Sequence, residues 1–307
     1  MNDDADPDHP DTFTVDAEGG RADRVLTRHF PGASRRRMAE LFAAGAVRVH
    51  GRVVKKGDFL DPGAEVTLTA TPAGGEDLRA QPDPAAAARL RVVHVDDELV
   101  VVDKPAGMPS QPLRAGERGT AANGVVALYP ECAGASDDAR DGGLVHRLDI
   151  GTSGALAAAR TRAAWLRLRR AFGDGQVTKE YLALTYGAPI AAECLAPLAQ
   201  RGRKVAVDHA EGLPAHTMFE VVQKLGDWRL VRCRAVTGRM HQIRAHLAHC
   251  GAPIAGDALY GGPALPGLEG FFLHAAKLAL PRDGGAPLIV DVPLPADRRA
   301  LIGTLTG

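Results

Sequence analysis

Apolar residues recur at helical spacing in two segments near the N-terminus, and short alternating runs follow them. The two helical faces consist of Val25, Leu26, His29 and Phe30 in the first segment and of Met38, Leu41 and Phe42 in the second. Ser34 is placed to cap the second helix, and Gly45 to end it. The runs "AVRVHGRVV" and "AEVTLTA" then predict strands separated by Gly and Pro turns. Residues 12–70 are therefore predicted to form a small domain, preceded by a disordered acidic tail over residues 1–11.

Most of the remaining apolar runs predict strands, with few helices between them. The segment "RLRVVHVDDELVVVDKPAG" predicts two strands joined by an acidic turn, and "KEYLALTYG" and "WRLVRCRAV" predict two more. Helices are predicted from Thr161 to Phe172 and from Met240 to Cys250. Residues 71–90, which combine Pro, Gly and Ala without apolar periodicity, are predicted to be a linker. Residues 91–307 are thus predicted to form an α+β domain whose mixed, largely antiparallel sheet is flanked by helices.

The composition is that of a globular protein long enough for two domains. Of the 307 residues, 45% are hydrophobic and 24% are charged, and the formal net charge is zero. No apolar run approaches the roughly 18 residues of a membrane span, and the acidic N-terminus lacks the features of a secretory signal. We therefore expect a cytoplasmic protein with no membrane partner. The four cysteines show no C-x-x-C spacing, which favours reduced, buried thiols over disulfides or a zinc site.

The neutral total conceals an uneven distribution of charge. Residues 1–20 hold seven acidic residues, whereas residues 21–56 hold ten Lys and Arg residues against two acidic ones, a local charge of +8. Arg35, Arg36 and Arg37 fall in the first turn of the second predicted helix, where the helix dipole disfavours positive charge. A bound phosphate would relieve that repulsion. The alternative is a solvated basic face without a ligand.

The segment "GLVHRLDIGTSG", residues 143–154, places a polar loop between two short apolar runs. Thr152 and Ser153 are predicted to hold this loop by hydrogen bonds to its backbone, and Gly154 permits backbone angles closed to other residues. Such a loop would present the Asp149 carboxylate in one orientation. The alternative is a structural aspartate paired with Arg147.

Two further segments carry polar residues whose roles the pattern leaves open. In "AVTGRMHQIRAHLAHCG" the predicted helix would bury its apolar side and expose His241 and Arg244 on a polar side, and Arg239 and Arg244 are candidate partners for an acid or for phosphates. The alternative is a solvated helix face. The histidines of this segment share no face, which argues against a metal site: His241, His246 and His249. In "KEYLALTYG" the ordinary role of Tyr181 would be that of a core aromatic residue.

The segment "RADRVLTRHFPGASRRRMAELFAAGAVRVHGRVVKKGDFLDPGAEV" resembles the S4-like RNA-binding module, which is named after a ribosomal small-subunit protein. In that module two short helices and a β-hairpin present basic side chains to structured RNA. The resemblance implies RNA contacts by seven residues: Arg35, Arg36, Arg37, Arg48, Arg52, Lys55 and Lys56.

Four segments, taken in chain order, are similar to the motifs of the RluA-type pseudouridine synthases: "VVVDKPAGMPSQP", "HRLDIGTSG", "KEYLALTYG" and "TGRMHQIRAHLAHCGAPIAGDALYGG". The similarity implies that Asp149 is the catalytic aspartate, that Tyr181 stacks on the target base and that Arg244 pairs with the aspartate. It also implies that Arg147 helps to replace the extruded nucleotide and that Leu273 forms an apolar wall of the pocket. The remaining implied substrate contacts are Lys104, His146, Thr152, Arg239 and His241.

Three positions depart from the family pattern without removing a catalytic group. Ile150 stands where a basic residue is common, Met240 replaces a usual Thr, and Ser110-Gln111 precede Pro112 where the family often has a His. The implied reaction breaks the glycosidic bond of a uridine and rejoins the base through carbon, for which an ionised carboxylate is a sufficient nucleophile. Neither a metal nor an organic cofactor is expected.

We therefore predict an isomerase that acts on specific uridines in structured RNA. Ribosomal RNA of the large subunit is favoured over transfer RNA, because a basic N-terminal module is commoner among synthases of the former kind, and a monomer is expected. One alternative is a non-catalytic RNA-binding or ribosome-assembly protein, and another is a carboxylate-dependent nucleoside hydrolase. Activity on free uridine compared with folded RNA distinguishes these functions.

Overall fold

The computed structural model describes residues 11–30, 33, 35–70, 78–282 and 284–305, with the side chains of Arg35 and Arg36 left out. Ser34, the predicted helix cap, lies outside this part of the chain, as do residues 1–10 of the predicted disordered tail. Asp11 is the first residue of a strand, so the prediction that the tail extends to residue 11 is wrong at that position.

Residues 11–68 form a small module around an apolar core of its own. Its elements are β1 (Asp11–Thr14), β2 (Gly20–Arg21), α1 (Ala22–His29), α2 (Arg35–Ala43), β3 (Val47–Val49), β4 (Arg52–Val53), β5 (Phe59–Leu60) and β6 (Glu65–Leu68). Strands β1, β6, β3 and β4 form an antiparallel sheet in that order, and β2 pairs with β5. Val25 and Leu26 of α1 and Leu41 of α2 are buried in the core, as their helical spacing predicts.

The larger unit is built around one mixed sheet. Its elements are α3 (Pro84–Ala87), β7 (Arg91–Val95), β8 (Leu99–Lys104), α4 (Ala121–Leu128), β9 (Ser153–Ala159), α5 (Arg162–Gly173), β10 (Thr178–Tyr186), β11 (Glu193–Cys194), β12 (Leu198–Arg201), β13 (Lys204–Val207), β14 (Thr217–Leu225), β15 (Trp228–Ala235), α6 (Gln242–His249), β16 (Leu273–Leu280), β17 (Leu288–Asp291) and α7 (Ala296–Thr304). Short 3₁₀ turns lie at Pro130–Gly134, Ala139–Asp141 and Ala258–Tyr260.

The sheet runs in the order β11-β14-β15-β10-β16-β9-β8-β7, and β17 also pairs with β16. The β9–β16 pair is parallel, and the other pairs of this sheet are antiparallel. All seven residues of β9 are buried, because one apolar cluster includes α4 on one face of the sheet and a second includes α5 on the other. The predicted α+β class with a largely antiparallel sheet and flanking helices is confirmed.

The segment predicted as a linker is in large part a packed element. Asp83 caps α3 by accepting hydrogen bonds from the backbone N–H groups of Ala85 and Ala86. Ala86 and Leu90 are buried in the same apolar cluster as α4. The prediction is therefore wrong for residues 80–90, because small Ala side chains give no periodic signal yet allow two helices to approach closely. Residues 71–77 lie outside the described ranges.

Helix α6 is buried on its polar side as well as on its apolar side. It begins at Gln242, two residues later than predicted, and Gln242, Arg244 and His246 are all less than 9% exposed. The prediction of an exposed polar face is wrong, because each of these polar groups has a partner inside the protein. His246, for example, bonds the Thr217 hydroxyl and the Ala196 carbonyl, both at 2.9 Å.

The four cysteines are buried thiols, as predicted. Within the part of the chain that the structure describes, no helix is both long and apolar enough to cross a membrane. The same part contains no group of three or more His, Cys, Asp or Glu side chains placed to hold a metal ion.

Candidate active site

The backbone on both sides of Asp149 is fixed by buried polar side chains. The Ser110 hydroxyl donates to the Leu148 carbonyl at 2.7 Å and accepts from the Leu148 N–H at 3.0 Å. On the other side, the Lys104 ammonium donates to the Ile150 carbonyl at 3.2 Å. Because both neighbours are held, the Asp149 side chain leaves the loop in a defined direction.

The turn that follows Asp149 is closed by its backbone. The Thr152 N–H donates to the Asp149 carbonyl at 3.0 Å. The Ser153 hydroxyl bonds His274 Nδ1 at 2.9 Å on the neighbouring strand β16. The prediction that the Thr152 and Ser153 side chains bond the loop backbone therefore needs correction, since Thr152 acts through its N–H and Ser153 ties β9 to β16.

Two glycines in this segment allow other parts of the chain to come close. Gly154 has φ +110°, and a Cβ at this position would lie 2.2 Å from the Ala275 carbonyl oxygen. A Cβ at Gly151 would lie 2.6 Å from the ring of Phe271. Gly154 is thus required for the parallel pairing of β9 with β16, and Gly151 for the close approach of the Phe271 ring to the loop.

Arg244 joins two carboxylates in a buried network. Its Nε and Nη2 donate to Asp257 at 2.7 and 2.9 Å, and its Nη1 donates to Asp149 Oδ2 at 3.0 Å. The guanidinium carbon lies 4.3 Å from the centre of the Phe271 ring and 5.0 Å from that of Tyr260. Burial opposes the charge, but the two carboxylates outweigh it and raise the pKa of Arg244. Arg244 is therefore a permanent cation with a fixed orientation.

The two carboxylate oxygens of Asp149 have different surroundings. Oδ2 accepts from Arg244, whereas Oδ1 has no hydrogen-bond partner among the described residues. The Asp149 side chain is 26% exposed, so a ligand has access to it. Arg147 is exposed and makes no ion pair with Asp149 in the described part of the chain, which argues against the purely structural pairing of these two residues.

Two more predicted residues lie beside this network. The Nε2 atom of His241 is 4.0 Å from Asp149 Oδ2, and burial lowers the pKa of His241 against the opposing charge of Asp149. Tyr181 lies in β10 opposite Cys233 of β15 and Ala275 of β16. Burial, together with the nearby charge of Asp149, raises the pKa of Tyr181, which keeps its hydroxyl protonated at neutral pH. The structure thus gathers Asp149, Tyr181, His241 and Arg244 at one site.

Leu273 is buried at the start of β16, in an apolar cluster against which Tyr181 packs. This position is compatible with an apolar wall beside the tyrosine ring.

Lys104 has no exposed surface, so its predicted role as a substrate contact needs correction. Besides Ile150, its ammonium donates to the carbonyls of Met108 at 2.7 Å and of Pro105 at 3.1 Å. Burial lowers the pKa of Lys104 to about 7, and the charge of Asp149 opposes this shift. Lys104 therefore holds the loop that contains Pro105 and Met108 against the loop that contains Ile150.

Of the other predicted contacts, Thr152 is 2% exposed, which argues against a substrate contact by its side chain, His146 is partly buried, and Arg147 and Arg239 are exposed. His146 stacks on Phe172 and accepts the Ala157 N–H at 3.1 Å, and burial lowers its pKa to about 3. Its neutral ring is committed to packing, which argues against a substrate contact. Arg147 and Arg239 are exposed and remain available to a ligand.

The basic residues of the N-terminal module differ in how freely they are presented. Arg37 is within 3.4 Å of Glu40, and Arg48 donates to the Gly51 carbonyl. Arg28, outside the predicted set, is paired with Asp16 at 2.8 Å. Three basic side chains are exposed: that of Arg52 in β4 and those of Lys55 and Lys56 just after this strand. The side chains of Arg35 and Arg36 lie outside the description.

Sequence reasoning missed residues that organise the site. Asp257 and Tyr260 stand in "GDALYGG", which belongs to a quoted motif, yet no spacing rule connects them to Arg244, which lies 13 residues before Asp257. Arg298 in α7 is 2% exposed and donates to the carbonyls of Leu273 and Phe271. The local sequence pattern does not distinguish a buried arginine in a short helix from an exposed one.

Comparisons with known proteins agree on one family. The sequence model of the RNA pseudouridylate synthase family matches residues 98–249. Ribosomal large subunit pseudouridine synthase D of Xanthomonas campestris is 32% identical over 312 residues, which cover 94% of this chain and 90% of the relative. Ribosomal large subunit pseudouridine synthase C of Escherichia coli is 32% identical over 303 residues, which cover 92% of each chain.

A solved structure shares the fold. Human RNA pseudouridylate synthase domain containing 1 has a TM-score of 0.53 and 26% identity, covering 69% of this chain and 86% of the human chain. Since the sequence similarity spans nearly the whole length and the motif residues meet at one site, this protein belongs to the RNA pseudouridylate synthase family.

Proposed function

We propose that this enzyme isomerises specific uridines of large-subunit ribosomal RNA to pseudouridine, with Asp149 as the nucleophile acting on an extruded base. The RNA class follows from the names of the two relatives. One observation carries the mechanism: Arg244 holds Asp149 through Oδ2, while Oδ1 has no hydrogen-bond partner in the described ranges and the side chain is 26% exposed.

The bonds broken and formed in the reaction balance, and so do its protons. The C1′–N1 bond of uridine breaks, the uracil turns, and a C1′–C5 bond forms, while the proton lost from C5 is matched by one gained at N1. A carboxylate can hold one fragment between these steps. A carboxylate is itself a nucleophile and needs no neighbouring base to activate it, and Arg244 holds Oδ2 without competing for Oδ1.

The target base has to leave its stack before Asp149 can reach it. Extrusion costs a few kcal/mol. Stacking on an aromatic side chain returns about 1–3 kcal/mol, and Tyr181, which lies beside Asp149, is the ring that offers this. The exposed Arg147 lies in the same loop, two residues before Asp149, and in this proposal it occupies the space that the base vacates.

The N-terminal module supplies RNA affinity in this proposal. Residues 11–70 hold ten basic and eight acidic residues, so the excess of +8 over residues 21–56 falls to +2 when the whole module is counted. The attraction therefore depends on where the free cations lie, and Arg52, Lys55 and Lys56 form an exposed group. This group and the second helix would follow the phosphates of a structured RNA, as in an S4-like module.

The function is tested by mapping pseudouridines in ribosomal RNA from cells with and without the gene. Loss of one or a few large-subunit sites is expected. Unchanged ribosomal RNA, or turnover of free uridine as fast as of folded RNA, would exclude the proposal.

Replacing Tyr181 with Ala is expected to lower the single-turnover rate about tenfold to a hundredfold, because a stack worth about 1–3 kcal/mol is lost. Initial RNA affinity should hardly change, since the ring meets only the extruded base. Tyr181→Phe keeps the stack and isolates the contribution of the hydroxyl. The matched control is Tyr186→Ala at the exposed end of the same strand. Equal losses of affinity and rate in Tyr181→Ala would assign the ring to packing.

Neutralising the exposed cations by Arg52→Gln, Lys55→Gln and Lys56→Gln together is expected to weaken RNA binding. Each phosphate contact contributes about 0.7–0.9 to the magnitude of the slope of log K against log salt, so the loss of three contacts should lower that magnitude by about two to three. At saturating RNA the single-turnover rate should stay close to that of the unmodified enzyme. The control is Arg21→Gln, whose guanidinium is paired with Asp23. A salt titration with an unchanged slope would contradict this role of the module.

A further inference from the structure

His241 occupies a backbone conformation that few side chains adopt. It precedes α6 with φ 51° and ψ 18°, in the left-handed region, and its side chain makes no capping bond to the helix. Non-glycine residues persist there only where the surroundings hold them, often at functional sites. The side chain is therefore directed by something other than helix capping.

The turn around His241 is held by Gln242. Its Oε1 accepts from the Arg239 N–H at 3.0 Å and from the Thr237 hydroxyl at 2.7 Å. Its Nε2 donates to the His216 carbonyl and the Thr217 hydroxyl, both at 2.9 Å. A fully bonded, buried amide thus fixes the backbone that aims His241 at Asp149.

The hydrogen bonds of Tyr260 decide where the proton of His241 lies. The Tyr260 oxygen accepts the Val205 N–H at 2.9 Å and lies 3.0 Å from His241 Nδ1. Tyr260 is 8% exposed, and among the described residues His241 Nδ1 is the acceptor placed to take the proton of its hydroxyl.

The opposite side of the ring favours the same tautomer. His241 Nε2 faces Asp149 Oδ2 at 4.0 Å, and an ionised carboxylate is only an acceptor. The groups that face His241 are Asp149, Tyr260, Arg244 and Asp257. Arg244 disfavours a second positive charge beside it, so the neutral ring with its proton on Nε2 fits both sides.

We propose that Tyr260 fixes His241 as the tautomer protonated on Nε2, and that His241 donates this proton in a hydrogen bond to Asp149 Oδ2 when RNA fills the site. The gap of 4.0 Å is about 1 Å longer than such a bond, so a small closure completes it. With Arg244 and His241 both on Oδ2, the attacking oxygen is Oδ1. His241 is a positioning residue, and this role rests on the proposed function of Asp149.

The test begins with His241→Asn, which suits the left-handed backbone but cannot reach Asp149. The single-turnover rate at saturating RNA should fall about tenfold to a hundredfold, the loss expected for a hydrogen bond to a charged group. The RNA dissociation constant should stay unchanged, and the thermal midpoint should fall no further than in Tyr260→Phe, which breaks the same hydrogen bond. His241→Gln, which can place a donor near the position of Nε2, should recover part of the rate. A full rate in His241→Asn, or no recovery in His241→Gln, would overturn the proposal.

A spectroscopic readout is independent of activity. In protein with ¹⁵N-labelled histidine, the His241 signal, assigned by its absence in His241→Asn, should show an unprotonated Nδ1 and a protonated Nε2 at neutral pH. Tyr260→Phe should make the two tautomers exchange. A proton on Nδ1 in the unmodified enzyme would refute the assignment even if Asp149→Asn is inactive, whereas an active Asp149→Asn would refute the nucleophile and leave the tautomer standing.

Discussion

Asp149→Asn is expected to abolish pseudouridine formation while leaving the fold and most of the RNA affinity intact. Asn keeps the size of the side chain and can still accept from Arg244 Nη1, and Arg244 keeps both of its bonds to Asp257. What disappears is the charge that makes Oδ1 a nucleophile. A loss of at least about a thousandfold is expected when a covalent nucleophile is removed.

The measurement is product formed in a single turnover, quantified by nucleoside chromatography after digestion of the RNA. Asp97→Asn, in the exposed turn between β7 and β8, is the matched control and should retain full activity. Product above a trace level from folded Asp149→Asn protein would show that Asp149 is not the nucleophile.

Asp257→Asn is expected to damage stability and catalysis together. The carboxylate of Asp257 is 1% exposed and holds Arg244 by two bonds. Removing one member of a buried ion pair costs about 3–5 kcal/mol, and the remaining bond from Arg244 to Asp149 places this case at about 3 kcal/mol. Without its two bonds to Asp257 the Arg244 guanidinium is held less firmly, so the Asp149 carboxylate bonded to it can shift. A shift of about 1 Å can lower the rate about a hundredfold.

Urea titration measures the stability change, and single-turnover kinetics at low temperature, where the variant is folded, measures the rate. Asp291→Asn is the control, because Asp291 is 66% exposed and its bridge to Lys277 should contribute less than about 1 kcal/mol. Equal effects of the two substitutions would mean that the Asp257–Arg244 pair is no more important than a surface bridge.

The sequence predicted those parts of the site that belong to a local pattern or to a family motif. The loop around Asp149 has a recognisable order of polar and glycine residues, and Arg244 follows from the motif that contains it. The family similarity implied a substrate contact for Lys104, because a motif gives the position of a residue but not its burial. Only the fold shows that it is buried against three carbonyls.

The errors share one physical origin, which is long-range contact. Ser153 and His274 are 121 residues apart, so no local rule predicts that their side chains bond. The polar side of α6 has the periodicity of a solvated face. It is buried because Thr217, the Ala196 carbonyl and the two carboxylates supply partners from distant segments.

The position of β16 between β9 and β10 has a consequence for the order of folding. Residues 273–280 join strands that end at residue 159 and begin at residue 178, so in the described sheet the two halves meet through a segment that follows both of them in the chain. Contacts of such sequence separation form slowly, and until then β9 presents an unpaired edge. The sequence of β9 is SGALAAA, which consists mostly of small residues with weak strand propensity. Before β16 pairs with it, this edge is therefore a poor template for pairing with another molecule.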